Sequence, residues 1–209
     1  MPRVSRQQAE LNRISIIEIA ARQYRERGLK GVSVAEVMQA AGLTHGGFYG
    51  HFESKEALAN EACAHAFERS AATWKEKAAS HRKKRKARKA IIDHYLSTAK
   101  RDTASETCAV IALSADVAQE QPLADIHQTY VNGMQSLVDT YLSTIEGGES
   151  AGDEAARRQA ALVEYSLMVG AMTLARAVGS TALSDKILKA ARTFLNSDAS
   201  LAQRFAQQA

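Results

Sequence analysis

The run from Ser33 to Glu56, SVAEVMQAAGLTHGGFYGHFESKE, constrains the fold of this chain more than any other. Ser33 with Glu36 three residues on makes a capping box, in which each side chain reaches the other's backbone N–H and satisfies donors that a first helical turn leaves orphaned. Val34, Val37, Met38 and Ala41 then recur at helical spacing and predict one buried face. Gly42 follows the last of them, where a left-handed residue ends a helix at little steric cost. Leu43 continues the core. Thr44 is placed to cap a second helix, which carries Phe48 and Phe52 on one side and leaves His45, Gly46, Tyr49 and Gly50 for the others. Ser54 is placed to cap a third.

The flanking sequence is helical as well. Ser5 to Arg27 reads as one helix with Leu11, Ile14, Ile17, Ala21 and Tyr24 on one face, ended by Gly28. That gives three helices by residue 52, enough to enclose a small core. Ser54 to about Lys77 reads as a long helix with Leu58, Ala62, Phe67 and Trp74 among its apolar positions, and no Pro/Gly-rich linker separates it from what precedes it. Arg101 to Thr107 is polar and loop-like. Cys108 opens an apolar helix ending near Gln121, Pro122 suits the first turn of the next, and that helix presents Ile126, Tyr130, Met134, Leu137, Val138, Tyr141 and Leu142. Asp153 is a candidate cap of a further helix, and Ser184 to about Leu195 reads as the last clear one. The count is about nine helices with no convincing strand, which suits a chain with only two prolines and 6% aromatic residues.

Composition excludes several classes. No apolar run nears the roughly 18 residues that cross a bilayer, and the N-terminal MPRVSRQQAELNR has no apolar signal core, so a cytoplasmic chain with no membrane partner is expected. Two cysteines, Cys63 and Cys108, are too few for a disulfide framework. The six histidines show no i,i+4 pair, paired Glu-x-x-His sequences are absent, and there is no Gly-rich phosphate loop or Gly-x-Ser-x-Gly. No catalytic residue, metal or cofactor is therefore expected.

Charge is concentrated. The net charge is +4, but residues 81–89, HRKKRKARK, hold seven Lys/Arg and no acid, and the rest of the chain carries a net of −3. Global charge is thus poor evidence for a polyanionic partner. The run itself reads either as a solvated turn and helix start, which is the plainer reading, or as a nucleic-acid patch.

Residues Gly31 to Leu58, GVSVAEVMQAAGLTHGGFYGHFESKEAL, resemble the helix-turn-helix of the TetR family of bacterial transcriptional regulators. Helix-turn-helix spacing alone is a weak signal; the run Phe48-Tyr49-Gly50-His51-Phe52 followed by Ser54-Lys55-Glu56 makes it specific. The resemblance implies an all-α protein with a DNA-binding domain at 1–52, joined by a long helix to an effector-binding and dimerisation domain at 53–209. It implies a homodimer on a palindromic double-stranded operator, most simply a repressor released by a small-molecule effector. Thr44, His45, Gly46 and Gly47 then fall at the N-terminal end of the recognition helix, which reads base edges in the major groove. The two glycines either let the backbone approach the groove or merely loosen a short helix. His45 is placed to meet a base or a phosphate. Tyr49, His51 and Lys55 match phosphate-contacting positions, and a phenol, an imidazole and an ammonium suit that role; Ser33 is a further candidate.

Two other expectations follow from the resemblance. The small residues of the last two helices (Ala160, Ala161, Gly170, Ala171, Ala175, Ala177, Ala182, Ala190 and Ala191) resemble the family's paired C-terminal helices, which meet a second subunit, although ordinary intrachain packing uses small residues too. The effector pocket is expected among residues 54–178, with Tyr95, Met134, Tyr165, Met168 and Met172 as candidate linings because Met and aromatic side chains adapt to apolar ligands. Cys108, near a predicted helix N-terminus, is either a thiol sensor of electrophiles or oxidants, as in some family members, or a small buried residue.

Overall fold

The computed structural model describes residues 5–119, 125–147 and 151–197. Pro122, expected to open a helix, and the C-terminal SLAQRFAQQA lie outside them. Nine α-helices occur among the described residues: α1 Arg6–Arg27, α2 Val34–Ala40, α3 Lys55–Ala79, α4 Lys84–Tyr95, α5 Thr98–Asp102, α6 Ala109–Val117, α7 Asp125–Leu142, α8 Ala151–Ala177 and α9 Ala182–Leu195. Two 3₁₀ turns, His45–Gly50 and Ala104–Glu106, complete them, and no strand is found among these residues. The all-α expectation holds. The chain divides into two compact units, one of Met1–Arg69 with Ser105–Gly133, the other of Ser70–Ala104 with Met134–Ala209.

In the first unit, Ser5 caps α1 by accepting from Gln8 N–H at 3.1 Å, and Gly28 ends it at φ +75°. The buried face of α1 is Ile16, Ile19, Ala20, Ala21 and Tyr24, whereas Leu11 and Ile14, expected in the core, are 54% and 44% exposed. Apolar residues wrap this helix, so two stripes compete, and helical spacing alone does not choose between them. The capping box forms as read: Glu36 N–H donates to Ser33 Oγ at 3.2 Å, and Ser33 N–H to Glu36 Oε2 at 2.8 Å. Gly42 takes φ +70°. Val37, Met38, Phe48, Phe52, Leu58, Ala62 and Phe67 make the core, with the Phe48 and Phe52 rings stacked at 5.6 Å.

Asp116, near the end of α6, fastens the connection after α1. Its Oδ2 accepts from Leu29 N–H at 2.8 Å, and a Cβ on Gly28 would lie 2.8 Å from the same oxygen. On α7, Tyr130 donates its hydroxyl to Val110 C=O at 2.9 Å and meets the Phe67 ring edge-on. A Cβ on Gly133 would stand 2.2 Å from Phe67 Cγ, so the close approach there requires glycine.

In the second unit α8 packs along α9, with α4 and α5 against them. Trp74 lies among the rings of Tyr95, Tyr165 and Tyr141 at centroid separations of 5.7, 5.9 and 6.2 Å. Beside it Glu164, buried to 3% exposure, accepts from Arg88 Nε at 2.9 Å, pairs with Arg88 Nη2 at 2.7 Å and accepts from Tyr141 Oη at 2.6 Å. Arg101 on α5 pairs with Asp102 and Asp185 and donates to Ser184 Oγ at 3.0 Å.

Three local readings are corrected here. The polar stretch 101–107 is not simply a loop, because α5 ends within it. α8 starts at Ala151, two residues ahead of Asp153, which sits in its first turn rather than capping it. α9 starts at Ala182 rather than Ser184 and is capped by Thr181; Ser184 is fully buried and donates to Ala175 C=O at 2.9 Å.

Candidate nucleic-acid interface

The segment Thr44–Lys55 is held from beneath by two phenylalanines. Phe48 and Phe52 are 1% and 4% exposed, and anchoring them turns the intervening side chains outward. The second helix of the motif is a single 3₁₀ turn, His45–Gly50, entered at Thr44 in extended backbone. Thr44 occupies the cap position, yet its hydroxyl makes no cap hydrogen bond, contrary to the sequence reading. Two adjacent glycines explain the weak helix, since each costs about 1 kcal/mol against alanine in a helix interior.

Thr44, His45, Gly46, Gly47 and Tyr49 are all exposed. Tyr49 is 70% exposed, with its ring edge-on to Phe48 at 5.3 Å. His51 is half-buried, its ring tilted at 6.5 Å from Phe52. Lys55 is the first residue of α3 and half-buried. Donors of that helix start are already used in part: Ser54 Oγ accepts from Ala57 N–H at 3.0 Å. The Glu56 carboxylate accepts from its own N–H and from Ser54, which together hold its pKa below the usual carboxylate range. The ammonium of Lys55, rather than bare helix N–H groups, is thus what this end offers an anion. From the other side Arg13 lies over the Phe52 ring at 4.9 Å and pairs with Glu61 at 2.6 Å. Ser33 is exposed but committed: its N–H and Oγ both engage Glu36, which also accepts from Arg27. These contacts, Arg27 foremost, lower the Glu36 pKa from 4.5 to about 2.

The structure brings together only some of the effector candidates. Tyr95 and Tyr165 meet at 6.4 Å, both against Trp74, and Met168 and Met172 are buried on α8 one and two turns beyond Tyr165. Met134 on α7 is half-buried in the same unit. Cys108 belongs to the other unit, half-buried at the cap position of α6. Cys63 is buried, and burial pushes its thiol up to about 12. Sequence reasoning missed Glu164 and Arg88; the one available signal was an acid inside an apolar helical stretch. No group of three or more metal-ligating side chains stands together among the described residues, and no helix there is long and apolar enough to cross a membrane.

The profile of the family described as "Bacterial regulatory proteins, tetR family" matches residues 16–62, from the buried half of α1 through the first turns of α3. Residues 16–62 thus carry the N-terminal domain of that family. The chain is 36% identical over 61 residues to the HTH-type transcriptional regulator AcrR of Shigella flexneri, a match covering 29% of this chain and 28% of that one. It is 41% identical over 49 residues to the HTH-type transcriptional repressor KstR2 of Rhodococcus jostii, covering 23% and 24%. The matched stretch spans only about a quarter of each relative. Likeness in fold extends further. A TetR-family regulator from Cytophaga hutchinsonii superposes at a TM-score of 0.73 with 20% identity, covering 93% of this chain and 96% of that one. The reduced form of E. coli NemR gives 0.72 at 20% identity, covering 88% and 95%.

Proposed function

We propose that this TetR-family protein is a ligand-responsive, DNA-binding transcriptional regulator, most simply a repressor, with a DNA-binding domain at 1–52 and an effector-binding and dimerisation domain at 53–209. The observation that carries this reading is the placement of Tyr49, 70% exposed, on a floor of buried Phe48 and Phe52. A large aromatic ring held out in water by rigid core anchors suits a partner outside the chain. Thr44 and His45 meet base edges, Gly46 and Gly47 admit the backbone to the groove, and Tyr49, His51 and Lys55 hold phosphates, with Ser33 beside them.

A palindromic operator calls for two-fold symmetry. The exposed apolar stripe along α8 and α9 supports a homodimer: Leu162, Val163, Leu174, Val178, Leu183 and Phe194 are each more than a third exposed. Gly170, Ala177, Ala182 and Ala190 are exposed near them, whereas Ala160, Ala161, Ala171, Ala175 and Ala191 are buried within the chain. Small residues therefore serve both purposes. The effector site is assigned to the Trp74 cluster, with Tyr95, Tyr165, Met168 and Met172, and with Met134 from the same unit. A ligand that binds the non-DNA-binding form better shifts the population to it.

Operator selection with the pure full-length protein tests the reading. A palindrome is expected to be enriched, and Tyr49→Ala/Lys55→Ala is expected to lose it. Undiminished affinity in that double variant refutes the assignment. A second reading, a thiol trigger at Cys108, rests on its position as the half-buried cap residue of α6, where a helix N-terminus favours a thiolate. Electrophile-induced release of operator that disappears in Cys108→Ser separates it from reversible effector binding.

A further inference from the structure

The operator-reading segment does not account for the basic run at residues 81–89. Its seven cations divide by environment. Arg88 turns inward to Glu164, and Lys89 pairs with Asp93 on the next turn. Arg85 is engaged within the chain. Arg82, Lys83, Lys84 and Lys86 are exposed, and none of the four has a salt-bridge partner among the described residues.

Their position is electrostatically unfavourable for the isolated chain. Lys83 is the cap residue of α4 with no side-chain cap hydrogen bond, and the first turn holds cations and no acid. Positive charge at a helix N-terminus opposes the macrodipole, and the uncapped N–H groups add to the same positive field. The helix beneath is firmly seated: Ala87, Ile91, Ile92 and Tyr95 are buried, and the Arg88–Glu164 pair ties it to α8. Four unneutralised cations are thus presented on an ordered frame in a chain whose other charges balance to zero.

We propose that Arg82, Lys83, Lys84 and Lys86 form a second, sequence-independent contact surface for the phosphate backbone of duplex DNA, separate from the helix-turn-helix. It goes beyond the operator reading and does not need it. The chemistry favours a polyphosphate over a membrane: surface helices bind bilayers by inserting an apolar face beside the cations, and the apolar face of α4 is already buried within its own unit. What remains is charge alone, the counterion-releasing kind of contact that nucleic-acid backbones reward.

Binding of the full-length protein to a random-sequence duplex, followed over a salt series, tests this. Each phosphate contact contributes about 0.9 to the slope of log K against log salt, so four substitutions (R82Q, K83Q, K84Q, K86Q) are expected to flatten it by about 3 to 4. Between about 50 and 200 mM salt the parent then loses roughly a hundred-fold more affinity than the variant. Lysine-to-arginine replacements at 83, 84 and 86 are expected to leave the slope unchanged, which separates charge from local damage. The same flattening is expected when the four substitutions are added to Tyr49→Ala/Lys55→Ala, so loss of operator recognition and loss of this surface are read independently. An unchanged slope in both backgrounds overturns the proposal. So does loss of binding to phosphatidylserine-containing vesicles with no change on DNA, which makes the face a membrane contact instead.

Discussion

Replacing Glu164 by methionine is the most direct energetic test of the second unit. Glu164 is buried, and its carboxylate receives three donors, Arg88 Nε at 2.9 Å, Arg88 Nη2 at 2.7 Å and Tyr141 Oη at 2.6 Å. Burial alone would lower the Arg88 pKa, but attraction to Tyr141 and Glu164 outweighs it and leaves it raised. Burial, and then the neighbouring carboxylate, push the Tyr141 phenol well up. Breaking a buried pair from one side strands the other charge, at about 3–5 kcal/mol. The Arg88 side chain retains 16% exposure and Glu164 only 4%, so Glu164→Met falls near the lower figure and Arg88→Met near the upper, since the carboxylate has no route to water. Methionine at both positions removes both charges and keeps volume, and is expected to cost far less than the two singles together. The coupling is therefore expected to reach at least about 2 kcal/mol. At this chain length either single variant loses about 10 °C in Tm. Urea unfolding of all four proteins at one fixed concentration is the assay, because the proposed dimer would make stability depend on concentration. Singles costing less than about 1 kcal/mol, or a double variant equal to their sum, refute the reasoning.

Gly133→Ala puts a methyl group 2.2 Å from Phe67 Cγ and is expected to cost about 1–3 kcal/mol by overpacking, read by thermal unfolding. Gly46→Ala meets nothing within 4 Å, so it is expected to leave Tm unchanged or slightly higher while weakening operator binding in a gel-shift titration. Glu36 has its pKa depressed from 4.5 to about 2, so its stabilisation is present above about pH 4.5 and lost as pH falls toward 2; Glu36→Gln is expected to flatten the stability–pH curve in that window. Cys63, pushed up to about 12, is expected to resist alkylation at pH 8 in the native protein, with Cys108 taking the single label by mass spectrometry.

What could be read from the sequence was local. The Ser33–Glu36 box, the turn at Gly42, the Phe48/Phe52 anchors and the Ser54 cap each depend on residues within four positions of one another, and each forms. The misreadings arose where several local solutions compete. Helix α1 carries apolar residues on more than one face, and only the partners supplied by α2 and α6 select Ile16, Ile19 and Ala20 over Leu11 and Ile14. Thr181 and Ser184 both offer a hydroxyl near the start of α9, and Ser184, inside the helix rather than at its start, is a buried link between Ala175 and Arg101. The Glu164 network joins residues 23 and 76 positions apart, and nothing in local spacing announces it.

Residues divide by where the reason for them lies. Gly133 and Gly28 are explained inside the molecule, by Phe67 and Asp116, and Glu164 by Arg88 and Tyr141. Gly46 and Gly50 are not: a Cβ at either meets nothing, and neither takes a positive φ. Tyr49 holds a large ring in solvent above a core that is complete without its hydroxyl. Arg82, Lys83, Lys84 and Lys86 oppose the dipole of the helix they lead into. A chain selected for stability alone would replace each of these with a better helix former or an acid, at a gain of a few tenths to about 1 kcal/mol per site. Their common property is that the balancing interaction is missing from the single chain, and the proposed phosphate-rich partner would supply it in every case: room for a backbone at the glycines, an acceptor for the phenol, and negative charge for the cations.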